Sequence, residues 1–132
     1  MLIEFNTRKT VNEAADALRA AVAAKHFGVM QVHDLKESMA QKGFKFSREC
    51  LIFEVCQQQQ AKLVLEQNIS VSAVLPSRIS IYEKGGSTVL AAVRPTTLLA
   101  MCRSPQLESV AEDVENTIFE IMREAATARF DL

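Results

Sequence analysis

The sequence has no tryptophan, a single tyrosine, three prolines and four glycines among its 132 residues. It also lacks an excess of either charge, since 15 Lys and Arg stand against 16 Asp and Glu. Non-specific nucleic-acid binders need a basic surplus to displace counterions from phosphates. The longest uncharged stretch, residues 67–77, is far shorter than the ~20 apolar residues that span a bilayer. These absences argue against a nucleic-acid-binding protein and against a transmembrane protein.

Apolar residues make up 48% of the chain, which is too many for a disordered protein. The length suits one domain that buries a single core. No linker rich in Gly, Pro or Ser and no repeat of fixed period divides the sequence. We therefore expect a single domain over residues 1–132.

The three cysteines are Cys50, Cys56 and Cys102. An odd number cannot all pair within one chain, and none of them forms a C-x-x-C motif. The N-terminus shows no basic segment followed by an apolar run, as a signal peptide would. These features predict free thiols and a cytoplasmic location.

Two long helices are predicted, one near each end of the chain. Thr10 and Glu13 form a capping box ahead of an alanine-rich segment with one apolar stripe. Ser104 and Pro105 are typical of a helix start, and the residues after them keep helical apolar spacing for about five turns.

Strands are predicted at residues 2–5, 27–33, 49–56, 69–74, 79–82 and 89–93. Gly85-Gly86 supplies a tight turn between the last two, which form a hairpin. Because the last three strands follow one another, an antiparallel sheet is favoured over a doubly wound parallel sheet. We predict an α+β fold of two layers, with the first and last helices packed on one face of a curved, mostly antiparallel sheet.

Several kinds of active site are absent from the sequence. The glycines form no phosphate-binding loop, and no G-x-S-x-G nucleophile motif occurs. His26 and His33 have no Cys or carboxylate at metal-ligand spacing. We therefore expect no metal and no cofactor, and a binding or structural role rather than an enzyme.

The most informative segment is Glu54–Cys56, which leads into a predicted helix over residues 57–67. A thiol at a helix N-terminus is stabilised as thiolate by unpaired amides and the helix dipole, although Glu54 on the same strand face opposes this. The alternative is that Cys56 is a small buried apolar residue. Cys50 and Cys102 are expected to be packing residues.

A second candidate lies where the chain enters the hairpin. Arg78 begins a polar strand face that also carries Tyr82, and Ser77 precedes it. Arg94, at the end of the returning strand, is expected opposite Arg78, where two arginines would suit a small anionic ligand or an anionic partner. The alternative is a solvated surface on which these arginines pair with Glu49 or Glu83.

The C-terminal helix offers a possible contact surface. Phe119 lies off its main apolar stripe and, with Phe130, would extend into a self-association surface. The alternative is a core helix with a solvated acidic face.

Three of these segments resemble the bacterial and archaeal family called domain of unknown function 302. The pattern C-x-x-x-x-A-x-x-x-L, formed by Cys56, Ala61 and Leu65, resembles its central motif. The downstream Leu75-Pro76-x-Arg78-Ile79-x-Ile81 and the later Arg94-Pro95 follow in the family's order. The opening strand and both long helices also match, so the likeness covers nearly the whole chain.

The resemblance implies a TBP-like α+β fold and a homodimer, and it supplies no established activity. The chain departs from the family pattern at two places. Where the family usually has Cys-Asn-Pro, this chain has Cys56-Gln57-Gln58. Where the family's L-P-C segment has its cysteine, this chain has Ser77. A chemistry that needs both cysteines is therefore not expected, whereas a role for Cys56 alone remains open.

Three hypotheses follow. The first is a non-catalytic homodimeric domain that binds a small ligand or partner protein on the sheet. The second is a purely structural dimerisation module that uses the hairpin edge or Phe119. The third is a single-thiol sulfur carrier or redox sensor at Cys56. The residues proposed to line the sheet site are Glu54, Cys56, Ser77, Arg78, Tyr82 and Arg94.

Overall fold

The computed structural model describes residues 2–102 and 105–127. The strands are β1 (Leu2–Thr7), β2 (Gly28–Asp34), β3 (Cys50–Cys56), β4 (Ser77–Lys84) and β5 (Ser87–Val93). The helices are α1 (Val11–Ala24), α2 (Leu35–Gln41), α3 (Gln58–Gln67), α4 (Pro95–Ala100) and α5 (Glu108–Thr127). Two 3₁₀ segments lie at Ile69–Val74 and Pro105–Leu107.

The strands form one antiparallel five-stranded sheet in the order β1-β5-β4-β3-β2. The β4–β5 hairpin turns at Gly85 and Gly86, whose positive φ angles of 57° and 84° cost glycine little. Both hairpin strands lie inside the sheet, β4 against β3 and β5 against β1. The hairpin therefore has no free edge, and the prediction that its edge could serve dimerisation is wrong.

Helix α1 begins as the sequence predicts. Thr10 Oγ1 accepts a hydrogen bond from the Glu13 amide at 3.1 Å, and Glu13 Oε1 accepts one from the Thr10 amide at 2.9 Å. Helices α1 and α5 contact each other, α1 lies on β2, β3 and β4, and α5 lies on β1. The two-layer α+β fold is confirmed.

The register of β3 against β4 divides the sheet into two faces. Phe53 lies opposite Ile79, and both are fully buried beneath the long helices. The next positions alternate to the other side, because successive side chains of a strand point to opposite faces. We call this second side the outer face. It carries the cross-strand pairs Glu54 with Arg78, Ile52 with Ser80, and Cys50 with Tyr82.

Beyond the main core lies a second hydrophobic cluster. Its buried members are Val64, Val71, Leu99, Leu107 and Ala111. Helix α5 takes part in both clusters, with Ala111 in the second and Ile118 and Met122 in the main core. The two clusters are thus joined by one continuous helix.

The structure differs from the predicted elements at three places, the first being helix α4 (Pro95–Ala100), which the sequence did not predict. Residues 69–74 form a 3₁₀ segment rather than a strand, because the Asn68 side chain accepts hydrogen bonds from the Ser70 amide at 3.0 Å and its hydroxyl at 2.6 Å. Helix α5 begins at Glu108, after a 3₁₀ turn that starts at Pro105. The predicted cap Ser104 and the predicted contact residue Phe130 lie outside the described residues.

No helix within residues 2–102 and 105–127 combines the length and apolar character that a membrane crossing needs.

Candidate functional site

The residues proposed from the sequence do not form one site. Glu54 and Arg78 line a cleft at one end of the outer face, and Tyr82 lines another cleft at the opposite end. Cys56 and Ser77 share a small cavity at the ends of β3 and β4. Arg94 lies apart from all of these, in an ion pair with helix α5. Each place has its own chemistry.

We call the first of these the charged cleft. It is lined by Glu54, Ala73, Val74, Leu75, Pro76, Arg78, Val93 and Leu98. Its volume is about 280 Å³. The two charged residues come from the sheet, and most of the apolar wall comes from the 3₁₀ segment and the cis peptide that follows it at Pro76. The result is an apolar cleft with one carboxylate and one guanidinium.

The two charges of this cleft do not pair with each other. Glu54 Oε2 lies 3.0 Å from Nε2 of His33, and the Glu54 side chain is only 22% exposed. Arg78 is exposed, and no carboxylate of the described residues lies within ion-pair distance of it. The guanidinium of Arg78 is therefore available to a ligand, while Glu54 is held by His33.

The sequence predicts that Arg94 lies opposite Arg78, and this prediction is wrong. Its Nη1 is 3.3 Å from Glu115 Oε2 of helix α5. The other oxygen, Glu115 Oε1, accepts hydrogen bonds from the Thr96 amide at 3.1 Å and the Thr96 hydroxyl at 2.6 Å. Arg94 directly follows β5, and its side chain lies on the helix side of the sheet. It therefore anchors α4 rather than a ligand.

Glu115 is the acceptor at the centre of this anchor. Burial disfavours its charged form, but the hydrogen bonds from Thr96 and the nearby Arg94 guanidinium outweigh that effect and lower the pKa of the carboxyl. Glu115 is thus ionised at neutral pH and binds the first turn of α4. Because Leu98 belongs to α4, this anchor also fixes one wall of the charged cleft.

The position of Cys56 before a helix suggested a lowered pKa of its thiol, but the pKa is raised. Cys56 precedes the helix cap Gln57, whose side chain accepts a hydrogen bond from the Gln60 amide at 2.7 Å. The thiol is partly buried, and burial raises its pKa. The thiol form is therefore favoured, and Cys56 has no activated thiolate.

Cys56 and Ser77 meet in a cavity of only about 30 Å³. Its polar lining also includes Gln57 and Gln60, while the rest of its wall is apolar. A space of this size is comparable to one water molecule and holds no organic ligand. These two residues therefore belong to the packing between α3, α5 and the sheet.

A second cleft, which we call the aromatic cleft, lies at the other end of the outer face. It is lined by Phe46, Arg48, Glu49, Cys50, Tyr82 and Lys84. Its volume is about 450 Å³. Of these residues only Tyr82 was proposed as a site residue, and Cys50 had been expected to be a packing residue. The available signal was the alternation of residues 46, 48 and 50, which continues the outer face beyond the start of β3.

The remaining described features add no further chemistry. A cleft of about 520 Å³ between α4 and α5 has exposed Glu108 and Glu112 as its charged lining. No group of three or more His, Cys, Asp or Glu side chains is placed to hold a metal ion within the described part of the chain. The two candidate clefts therefore both lie on the outer face of the sheet.

Comparison with known proteins gives one family. The model of the family described as domain of unknown function DUF302 matches residues 3–125. The chain is similar to the crystal structure of an uncharacterised conserved DUF302 protein from Bacillus stearothermophilus, with 28% sequence identity and a TM-score of 0.89. That likeness covers 94% of this chain and 97% of the other. A search of curated proteins finds no match.

Proposed function

Since the chain belongs to the DUF302 family, whose description assigns no activity, we propose from its own geometry that it is a non-catalytic domain that binds a small anionic ligand in the charged cleft. The ligand class is a carboxylate or similar anion with a short aliphatic part. The anion binds Arg78, and the aliphatic part contacts the apolar wall.

The observation that carries this proposal is the unpaired guanidinium of Arg78. Its cross-strand neighbour Glu54 contacts His33 instead and forms no ion pair with Arg78. A guanidinium presents its N–H groups as a planar fork that matches a carboxylate or phosphate. Charge-assisted hydrogen bonds of this kind are roughly twice as strong as neutral ones.

The wall of the cleft supports the aliphatic part of the ligand. An apolar surface beside the two charged residues is formed by Val74, Leu75 and Leu98. Ligand sites are mostly apolar with a few placed polar groups, and a volume of 280 Å³ is near the lower end of their ~300–1,000 Å³ range. A small ligand is therefore favoured over a large one.

A non-catalytic role is favoured by the composition of this wall. Its residues include Glu54 and Arg78 but no Ser, Thr, Cys or Lys nucleophile. A group-transfer mechanism needs a nucleophile next to a general base, and Glu54 with His33 supplies only the base. Binding is thus the function that these residues support best.

The test uses 3-methylbutanoate as the anionic probe and 3-methylbutanol as its uncharged counterpart, followed by amide NMR shifts. We expect the anion to shift the amides of Arg78, Val93 and Leu98, and the alcohol to shift them little. Replacing Arg78 by Gln should weaken anion binding by about 10-fold or more, from the net strength of hydrogen bonds to charged groups.

The control for this test is Arg8→Gln, which removes an exposed arginine outside the cleft. It should leave binding of the anion unchanged. If neither probe shifts the cleft amides, or if Arg78→Gln binds as well as the unchanged protein, the proposal fails.

Homodimerisation and a cytoplasmic location stay predictions. For the dimer, the cross-strand neighbours Leu2 and Val93 are 48% and 38% exposed beside the edge strand β1. Phe119 contacts Phe5 with 5.2 Å between ring centroids and remains 41% exposed. Sedimentation at micromolar concentration should show a dimer, and a monomer would remove both the dimer and the purely structural alternative.

The thiol alternative has less support. Because burial raises the pKa of Cys56, its thiolate is scarce at neutral pH, and sulfur transfer or oxidant sensing needs the thiolate. We therefore place the single-thiol role behind ligand binding.

A further inference from the structure

The aromatic cleft is separate from the charged cleft. Its cross-strand pair Cys50 and Tyr82 lies four residues along each strand from Glu54 and Arg78, which is ~13 Å at the rise of a β-strand. Ile52 and Ser80 lie between the two pairs on the same face. A small molecule in one cleft therefore does not reach the other.

The aromatic cleft has two cationic side chains that form no ion pair within the described residues. Arg48 and Lys84 line it, and no carboxylate of the described residues pairs with either of them. The nearby carboxylates are occupied elsewhere. Glu49 Oε2 lies 3.0 Å from Lys36 Nζ, and Glu83 Oε1 accepts the Glu49 amide at 2.8 Å. Arg48 and Lys84 thus face the cleft without an ion-pair partner among the described residues, and the carboxylate of Glu49, which also lines the cleft, is paired with Lys36.

The same cleft has two aromatic rings. Phe46 and Tyr82 are both partly buried, so each ring is fixed in the wall while part of its surface remains accessible. Aromatic rings favour offset or edge-to-face contact with another ring. A volume of about 450 Å³ lies within the range of small-molecule sites.

We infer that the aromatic cleft is a second ligand site, which binds a small aromatic ring carrying a phosphate, sulfonate or carboxylate group. The ring packs against Phe46 and Tyr82, and the anionic group binds Arg48 and Lys84. This site does not depend on the charged cleft, and it differs in ligand class, because the charged cleft offers one cation and an aliphatic wall.

The composition of the chain gives this cleft two reporters. Tyr82 is the only tyrosine, so the ring NMR signals of a protein isotopically labelled at tyrosine report on this cleft alone. Cys50 lines the same cleft, whereas Cys56 and Cys102 lie elsewhere and serve as internal references for alkylation.

The experiment titrates the whole protein with phenyl phosphate, and separately with phenol and with inorganic phosphate. We expect phenyl phosphate to shift the ring NMR signals of Tyr82 and to slow the alkylation of Cys50 by at least about 3-fold, with Cys56 and Cys102 unchanged. Phenol or phosphate alone should bind at least about 10-fold more weakly, because each makes only part of the contacts.

Substitution then separates this site from the charged cleft. Arg48→Gln combined with Lys84→Gln should weaken phenyl phosphate binding by about 10-fold or more, whereas the exposed-lysine control Lys42→Gln and the variant Arg78→Gln should not. Circular dichroism checks that each variant is folded. All three cysteines protected equally, or inorganic phosphate binding as tightly as phenyl phosphate, would overturn the inference.

An effect of phenyl phosphate that disappears in Arg78→Gln would also overturn it, because the ligand would then lie in the charged cleft. Since the charged cleft is tested with 3-methylbutanoate and different reporters, either proposal can fail while the other stands.

Discussion

Replacing Glu115 by Ala should destabilise the protein through helix α4. Glu115 accepts both the amide and the hydroxyl of Thr96 and pairs with Arg94. Its side chain is only 18% exposed, so water replaces it poorly as a partner of the Thr96 amide. The substitution therefore leaves a partly buried amide and a guanidinium without their acceptor.

The expected cost follows from these contacts. A hydrogen bond to a charged group contributes about 1.5–3 kcal/mol net, and losing one partner of a buried group costs about 1–3 kcal/mol. Arg94 is 41% exposed, so its ion pair adds no more than about 1 kcal/mol. Because the three contacts share one carboxylate and do not add fully, we expect a loss of about 2–4 kcal/mol. For a domain of this size that is roughly 6–20 °C in Tm.

The pH dependence gives the sharper test. The pKa of Glu115 is lower in the folded protein than its ordinary value of 4.5. The unfolded chain therefore binds more protons in this range, and the stabilisation is fully present above the unfolded pKa. It is lost as the pH falls through the lower pKa of the folded state. The difference between the unchanged protein and Glu115→Ala should be largest at pH 6–7 and shrink below about pH 4.

Urea denaturation followed by circular dichroism at pH 7 and at pH 3.5 measures both quantities. Glu66→Ala is the control, because Glu66 is 61% exposed and pairs only with Lys62 one helical turn away. It should cost no more than about 0.5 kcal/mol. A loss below 1 kcal/mol for Glu115→Ala, or the same loss at both pH values, would refute the reasoning.

Three further predictions test the core, the first helix and the thiol. Phe53→Ala should lower the free energy of unfolding by about 3–5 kcal/mol in urea denaturation, because Phe53 is fully buried. The control Phe44→Ala, at a 67% exposed residue, should lower it by less than about 1 kcal/mol. Equal losses would contradict the assigned core. Thr10→Ala should cost about 1 kcal/mol through loss of the capping box with Glu13, and no change in the urea midpoint would count against that cap. The alkylation rate of Cys56 should reach half its maximum above pH 9, since burial raises the pKa; a midpoint near pH 7 would restore the thiol hypothesis.

Much of the fold could be predicted because local signals and the tertiary structure agree. Thr10 and Glu13 cap α1 as their spacing indicates, and Gly85-Gly86 forms the turn of the hairpin. The face of β3 that carries Glu54 and Cys56 follows directly from the alternation of the strand. These features depend on short segments whose conformation is set by their own residues.

The predictions that failed depend on distant partners. Residues 69–74 contain β-branched residues that suit a strand, yet Asn68 caps a 3₁₀ segment there, and Val71 is buried in a cluster built from other helices. Arg94 was placed beside Arg78, but Glu115, 21 residues away, binds it. A local pattern carries no information about such a partner.

The residues proposed as one site lie in separate clefts for a geometric reason. Arg78 and Tyr82 share a strand and a face, but four residues of strand separate them by ~13 Å. Two clefts therefore occur where the sequence suggested one. Phe46 and Arg48 of the aromatic cleft were missed because they precede the predicted strand, although their alternation with Cys50 was a signal that they share its face.

The sharing of α5 between the two hydrophobic clusters has a consequence for how the molecule opens. The second cluster cannot separate from the main core without unwinding the first turns of α5 or pulling Ile118 and Met122 with them. The charged cleft lies at the boundary between the two clusters, since Val74 packs against the second cluster while Glu54 and Arg78 belong to the sheet. If the proposed ligand binds there, it contacts both parts and holds them together. Binding of the ligand should then slow amide hydrogen exchange in both clusters, far beyond the residues that the ligand contacts.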